Sequence, residues 1–196
     1  MPVDVVSIAP ASSVSWADVQ AVFGTRGDPS SCWCQFMRLP AAEMRTKDAA
    51  ACSALLRDRV ERGSLSPGLI AYLDGEPVGW CAVEPRASYP TAIRSRVVTG
   101  GSAEPADDPS VWAIVCFVVR VEFRRRGVST ALVSAAVEWA RDHGARVVEG
   151  YPVDTAERAK ASAADLYHGT VTLFESAGLT VAARPSRGRA LMRLEL

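Results

Sequence analysis

The chain has 196 residues, 48% of them apolar and 22% charged, the composition of an ordinary globular protein long enough to bury a full core. Its 22 Lys and Arg balance its 22 Asp and Glu, so no general attraction for nucleic acid is expected. The longest apolar run, Val111–Val119, is less than half of a membrane span, and five cysteines at irregular spacing argue against a disulfide framework.

One domain over residues 1–196 is expected. The first residues carry neither a basic segment nor a long apolar one, so no signal peptide is read and the cytoplasm is the default compartment. Residues 3–8 form an apolar run before Pro10, a first strand. Ser15 is placed to cap a helix over Trp16–Phe23, which Gly24 ends. Residues 24–40 read as a loop, yet Trp33, Phe36 and Met37 are too much apolar surface for a linker, so the loop should fold onto the core or line a pocket. Within it, Cys32 and Cys34 flank Trp33. A closed zinc site needs four ligands; Cys52, Cys81 and Cys116 stand alone, and His143 and His168 lack ligand spacing. No metal is expected, and the two thiols count as small buried residues.

A helix is expected over residues 41–62, closed by Gly63. Gly68–Leu73 and residues 78–84, joined through Asp74 and Gly75, form a hairpin. Residues 85–110, with Pro85, Pro90, Pro105 and Pro109, read as an excursion rather than a core element. Val111–Val119 has the unbroken apolar character of a strand buried on both faces. After a turn at 120–127, Val128, Leu132, Ala135 and Trp139 make the apolar stripe of a helix over 128–143, stopped by Gly144. Residues 146–153 form the next strand. An alanine-rich polar stretch leads into a helix ending at Gly178, and residues 179–183 and 190–196 close the fold as strands. The order β-α-α-β-β-β-α-β-α-β-β describes a mixed sheet with helices on its faces, an α/β (α+β) domain.

The chemistry is concentrated between Val119 and Thr130. A buried strand runs into a basic turn, and Gly127 opens a helix whose unpaired N–H groups and positive dipole end point into that turn. Gly127 permits close backbone approach, Ser129 and Thr130 add little bulk, and Arg124, Arg125 and Arg126 add charge suited to phosphate oxygens. Such an arrangement fits a pyrophosphate. With a neutral total charge, these arginines and Arg120 are not expected to bind a duplex.

In these residues the chain resembles the GNAT superfamily of N-acetyltransferases. The family signature Val-x-x-x-Tyr/Phe-Arg/Gln-x-x-Gly-x-Gly/Ala is met by Val119, Phe123, Arg124 and Gly127, with Ser129 at the last position. The run from Leu173 and Phe174 to Gly178 and Leu179 resembles the family's Leu-Tyr-x-x-x-Gly-Phe. The resemblance covers residues 68–194 well and the first 65 only in order of elements. It implies a mixed, mostly antiparallel sheet with splayed fourth and fifth strands, helices on both faces, and direct transfer of an acetyl group from acetyl-CoA to a primary amine. By position it puts Phe117, Val118 and Val119 beside the pantetheine and thioester, with a backbone N–H at Val118 as oxyanion donor. Arg124, Arg125, Arg126, Gly127, Val128, Ser129 and Thr130 then surround the pyrophosphate.

The proton-transfer groups are less defined. No carboxylate lies on residues 112–119, so Glu84, Glu149 and Asp154 are the remaining candidate bases; a solvated or salt-bridged acid is the commoner reading of each, and the base is unassigned. Where many relatives carry the tyrosine that protonates the leaving thiolate, this chain has Phe174. Tyr167, two helical turns earlier, would share a face with Phe174 on a continuous helix. It stands where many relatives carry an asparagine near the cofactor, and is the candidate both for the acid and for a cofactor contact; a packed tyrosine bonded to backbone fits the sequence as well. His168 would point about 100° away on that helix and is the weaker candidate. The loop around Trp33 and Met37 falls where the family builds its acceptor site and should form a hydrophobic wall there. The acceptor, a small-molecule or a protein amine, is not specified, and a homodimer is left open; nucleic acid and membrane are not expected as partners. A second reading is a non-catalytic acyl-CoA-binding or sensor module on the same fold.

Overall fold

The computed structural model describes residues 5–24, 26–158 and 160–196. Among these residues seven strands form one sheet in the order β1-β2-β3-β4-β5-β7-β6. They are β1 (Val6–Pro10), β2 (Gly68–Leu73), β3 (Glu76–Pro85), β4 (Val111–Val119), β5 (Val147–Gly150), β6 (Thr180–Ser186) and β7 (Arg189–Glu195). Neighbours run antiparallel except β4 and β5, which are parallel. This is the mixed, mostly antiparallel α/β sheet that the motifs imply.

Both faces of the sheet are covered, which is why its central strands lack the polar alternation of a half-exposed sheet. On one face α7 (Val128–Asp142) packs Leu132, Val133 and Ala136 against Leu69, Ala71, Leu73, Trp112 and Ile114. On the other, α1 (Trp16–Phe23) and α4 (Ala49–Arg62) pack Phe23, Cys52 and Leu56 against Ile70, Trp80 and Ala113. Consecutive residues of β2 therefore alternate between two cores rather than between core and water.

Several elements differ from the expected ones. The first strand runs Val6–Pro10; positions 3 and 4 of the expected strand lie outside the described residues, as does residue 25 of the 24–40 loop. That loop contains a short helix, α2 (Gly27–Cys32). The expected helix over 41–62 divides into α3 (Ala41–Met44) and α4, because Asp48 accepts the Ala51 N–H at 2.8 Å and caps a new start. Residues 85–110 are not an excursion. Two short helices, α5 (Pro90–Ile93) and α6 (Arg96–Thr99), follow a turn in which Arg86 and Tyr89 are fully buried. Arg86 pairs with Glu149 at 2.9 Å, and neither side chain is exposed at all. A proline-rich stretch thus holds a buried ion pair, which composition cannot reveal.

The expected helix ending at Gly178 also divides, into α8 (Ala163–Leu166) and α9 (Val171–Glu175). Ser162 and Thr170 each cap a separate start, and Gly169 between them has φ +79°, a left-handed residue that a continuous helix cannot contain. The break decides the geometry of the site.

Candidate active site

The site begins with an irregularity in β4. Only Val111–Ile114 pair with β5, so the rest of this nine-residue strand diverges from its parallel neighbour. Opposite β3, the register slips between Ala82 facing Cys116 and Val83 facing Ile114, leaving Val115 as an extra residue. Such a bulge interrupts the alternation of side chains. Val115 and Cys116 consequently both lie on the α1 face, and with Val118 they floor a cavity of about 480 Å³.

One wall of the cavity comes from α2 and the turn after it, through Asp28, Cys32, Cys34, Phe36 and Met37. Trp33 is not part of that wall. Its left-handed backbone (φ 45°) ends α2 and the indole stacks on Phe23 at 4.9 Å, while the Trp80 indole N–H donates to the Cys34 sulfur at 3.1 Å. The hydrophobic wall expected of this loop is therefore built by Phe36 and Met37, with Trp33 in the core beneath. Burial first, and neighbouring Cys34 second, push the Cys32 thiol up to about 12, so it stays protonated at neutral pH. Among the described residues, no group of three or more His, Cys, Asp or Glu is arranged to hold a metal ion, and no helix is long and apolar enough to cross a membrane.

The opposite wall is the turn between α8 and α9. It wedges into the gap that β4 and β5 leave: the Phe117 N–H donates to the Tyr167 carbonyl at 2.7 Å, and the Val153 N–H to the Gly169 carbonyl at 3.1 Å. His168 Nδ1 lies 2.9 Å from the Val115 carbonyl. These bonds also correct the expected oxyanion donor. Backbone groups alternate in direction along a strand. Phe117 points its N–H into the gap and Arg120 donates to Val78 on the β3 side at 3.0 Å, so the Val118 N–H turns toward its β3 partner Trp80. Val118 contributes its side chain to the cavity, and the gap-facing N–H groups of this half-strand belong to Phe117 and Val119. The Phe117 ring lies on the other face, edge-on to Phe174 at 5.8 Å.

At the open end of the gap is the basic turn. Arg125 and Gly127 have φ +64° and +78°, and no side chain caps the start of α7. The first-turn N–H groups at Val128, Ser129 and Thr130 have no acceptor within the helix. A Cβ at Gly127 would meet nothing within 4 Å, so the glycine supports the turn's conformation and leaves free space above it. Arg124 donates through Nε to the Val119 carbonyl at 3.3 Å, tying the turn to β4. Neither Arg124 nor Arg125 has an acid partner among the described residues, whereas Arg120 is held by Glu76 and Glu122. Arg126 lies 5.6 Å from the Phe123 ring centre.

None of the three carboxylates considered as bases lines the cavity. Glu84 is buried between Arg38 and Arg59. Glu149 binds Arg86, Ser102 and Tyr151. Asp154 is paired with Arg184, whose hydrogen bond holds the carboxyl below the usual range. Tyr167 does line it, but not on one helix face with Phe174, which is buried under the opposite face of the sheet. Its hydroxyl has no hydrogen bond among the described residues, and burial, then Asp28, raise the phenol above its ordinary range. Sequence reasoning passed over Asp28 and Arg189 and ranked His168 low. The signal was present in the caps at Ser162 and Thr170 and in Gly169, which together forbid the continuous helix on which that ranking rested.

The chain matches the family model described as Acetyltransferase (GNAT) family over residues 33–168. Solved structures with a similar fold include yncA from Salmonella typhimurium with its cofactor acetyl-CoA, at 17% identity over 97% of this chain and 94% of that one, TM-score 0.54. They also include a ribosomal-protein-alanine N-acetyltransferase from Brucella melitensis, at 16% identity over 98% and 99% of the two chains, TM-score 0.54. A GCN5-related N-acetyltransferase from Kribbella flavida is 19% identical over 97% and 98%, TM-score 0.51. No curated protein matches in sequence.

Proposed function

The chain belongs to the acetyltransferase (GNAT) family and is an acyltransferase that uses acetyl-CoA; from that premise we propose that it acetylates a primary amine carried on a small, largely apolar molecule. The observation that carries this reading is the cavity. At about 480 Å³ it falls within the roughly 300–1,000 Å³ of small-molecule sites. Its floor of Val115, Cys116 and Val118 and its wall of Phe36 and Met37 are apolar. Asp28, exposed at the rim, is placed to attract an ammonium group.

The cofactor fits the other side of the gap. The uncapped start of α7, the left-handed turn at Arg125 and Gly127, and the side chains of Arg124 and Arg125 suit the pyrophosphate. Arg126, Val128, Ser129 and Thr130 complete that cradle. Val119 offers a gap-facing N–H to the pantetheine arm, while Phe117 and Val118 flank it. Acetyl-CoA supplies the activated acetyl group. Tyr167 stands between cavity and basic turn, with both Asp28 and Arg124 acting on its phenol, and is assigned the proton for the departing thiolate.

Thiol release from acetyl-CoA with a panel of amines tests this reading. 2-Phenylethylamine and tryptamine should turn over faster than lysine, spermidine or a peptide with N-terminal alanine. Faster turnover of the polar amines or of the peptide would replace the small apolar acceptor, and no release with any amine would refute amine transfer.

A further inference from the structure

We propose that His168 is the general base of the transfer, its Nε2 taking the proton that the acceptor amine sheds on attacking the thioester. This assignment rests on the amine-transfer reading above. His168 stands in the turn between α8 and α9, lines the cavity, and faces the floor residues Val115 and Cys116. A carbonyl oxygen can only accept, so the 2.9 Å contact between Nδ1 and the Val115 carbonyl requires the proton on Nδ1. The lone pair is then on Nε2, which has no partner among the described residues. Val115 is also the extra residue of the β4 bulge. The same irregularity that shapes the cavity floor therefore orients the imidazole.

The charged groups around the ring leave it the base. Asp165, on α8, is engaged by Arg158, Arg189 and Ser162. Arg189 approaches from β7 and Asp28 and Cys32 from α2, with Cys116 in the floor. Burial first, then Arg189, hold the imidazole below its ordinary value of 6.5, so it is neutral and able to accept a proton at pH 7.

The step balances without another reagent. The acceptor, bound as its ammonium, first releases one proton to solvent. The neutral nitrogen then attacks the thioester carbon, a C–N bond forms, the carbonyl pair moves to oxygen, and His168 takes a second N–H proton. The C=O bond re-forms as the C–S bond breaks with its pair on sulfur. The thiolate takes the Tyr167 proton, and the proton on His168 returns to the phenolate through solvent.

His168→Asn keeps an N–H donor for the Val115 carbonyl but has no basic nitrogen. With acetyl-CoA and 2-phenylethylamine, kcat should fall about 10²-fold or more, while acetyl-CoA affinity by calorimetry and the melting temperature hold. Wild-type kcat should fall as pH drops through a pKa below 6.5, because protonation removes the base, and that limb should vanish in the variant. Unchanged turnover of His168→Asn, or NMR of the imidazole nitrogens placing the neutral ring's proton on Nε2, would overturn the assignment while leaving amine transfer intact. No thiol release from the wild type with any amine of the panel overturns the amine-transfer reading, and the role of His168 with it.

Discussion

Replacing Glu149 with Gln separates a buried structural acid from a catalytic one. Glu149 and Arg86 are both fully buried and 2.9 Å apart. Arg86 is further fixed by Ser102 and by the carbonyls of Glu104 and Pro105. The neutral amide has nearly the same shape, so little packing is lost, but the guanidinium keeps its charge without the carboxylate that pairs with it. Removing one partner of a buried pair costs about 3–5 kcal/mol, and the lower end applies because Gln still accepts a hydrogen bond. A 196-residue chain at about 2.1 cal/mol/K per residue unfolds with about 0.4 kcal/mol/K, so a loss of ~3 kcal/mol lowers Tm by about 7 °C. Thermal unfolding followed by circular dichroism reads the shift, and thiol release at 25 °C reads turnover of the protein that stays folded. The expected result is a lowered Tm with kcat within about twofold of wild type. A Tm within about 1 °C of wild type would mean that the buried pair is not formed. Wild-type stability with turnover lost would make Glu149 the base and refute the cavity as the place of proton transfer.

Gly127→Val puts a β-branched residue at φ +78°, a strain of about 1–3 kcal/mol, and fills the space above the turn. At acetyl-CoA ~100 times its Kd, the wild type should gain ~2.7 kcal/mol of stability, seen as a raised Tm, and the variant should gain none; a variant with the full shift would remove the pyrophosphate from this turn. Tyr167→Phe deletes a hydroxyl that makes no hydrogen bond among the described residues, so its Tm should not change. Turnover should drop about 10²-fold with acetyl-CoA affinity kept, and undiminished turnover would leave the thiolate to be protonated by water.

Local patterns carried most of the fold. The apolar run at Val111–Val119 announced a strand buried on both faces, the stripe from Val128 to Trp139 a helix across it, and Gly127 after three arginines the opening of that helix. Each depends on periodicity or on one residue's conformational range, and both are properties of neighbouring residues. The basic turn proposed for the cofactor was legible for the same reason, since a turn and a helix start are contiguous in the chain.

The cavity proposed for the acceptor is not built from contiguous residues and could not be read in that way. Its floor depends on a slip of one residue against β3, its far wall on a break between two capped helices, and its near wall on a left-handed Trp33 that turns the indole inward. The slip also decides which amides face the gap, and the Val118 amide is not among them. Burial of Arg86 and Glu149 was hidden similarly, because a charged residue in a proline-rich stretch shows its partner only when a strand 63 positions away closes over it. Sequence alone determined the central strands, the long helix that follows them and the basic turn that opens it, because those follow from local periodicity and conformational range. Tertiary structure decided which polar groups meet in the cavity, because strand register and long-range pairing set their directions.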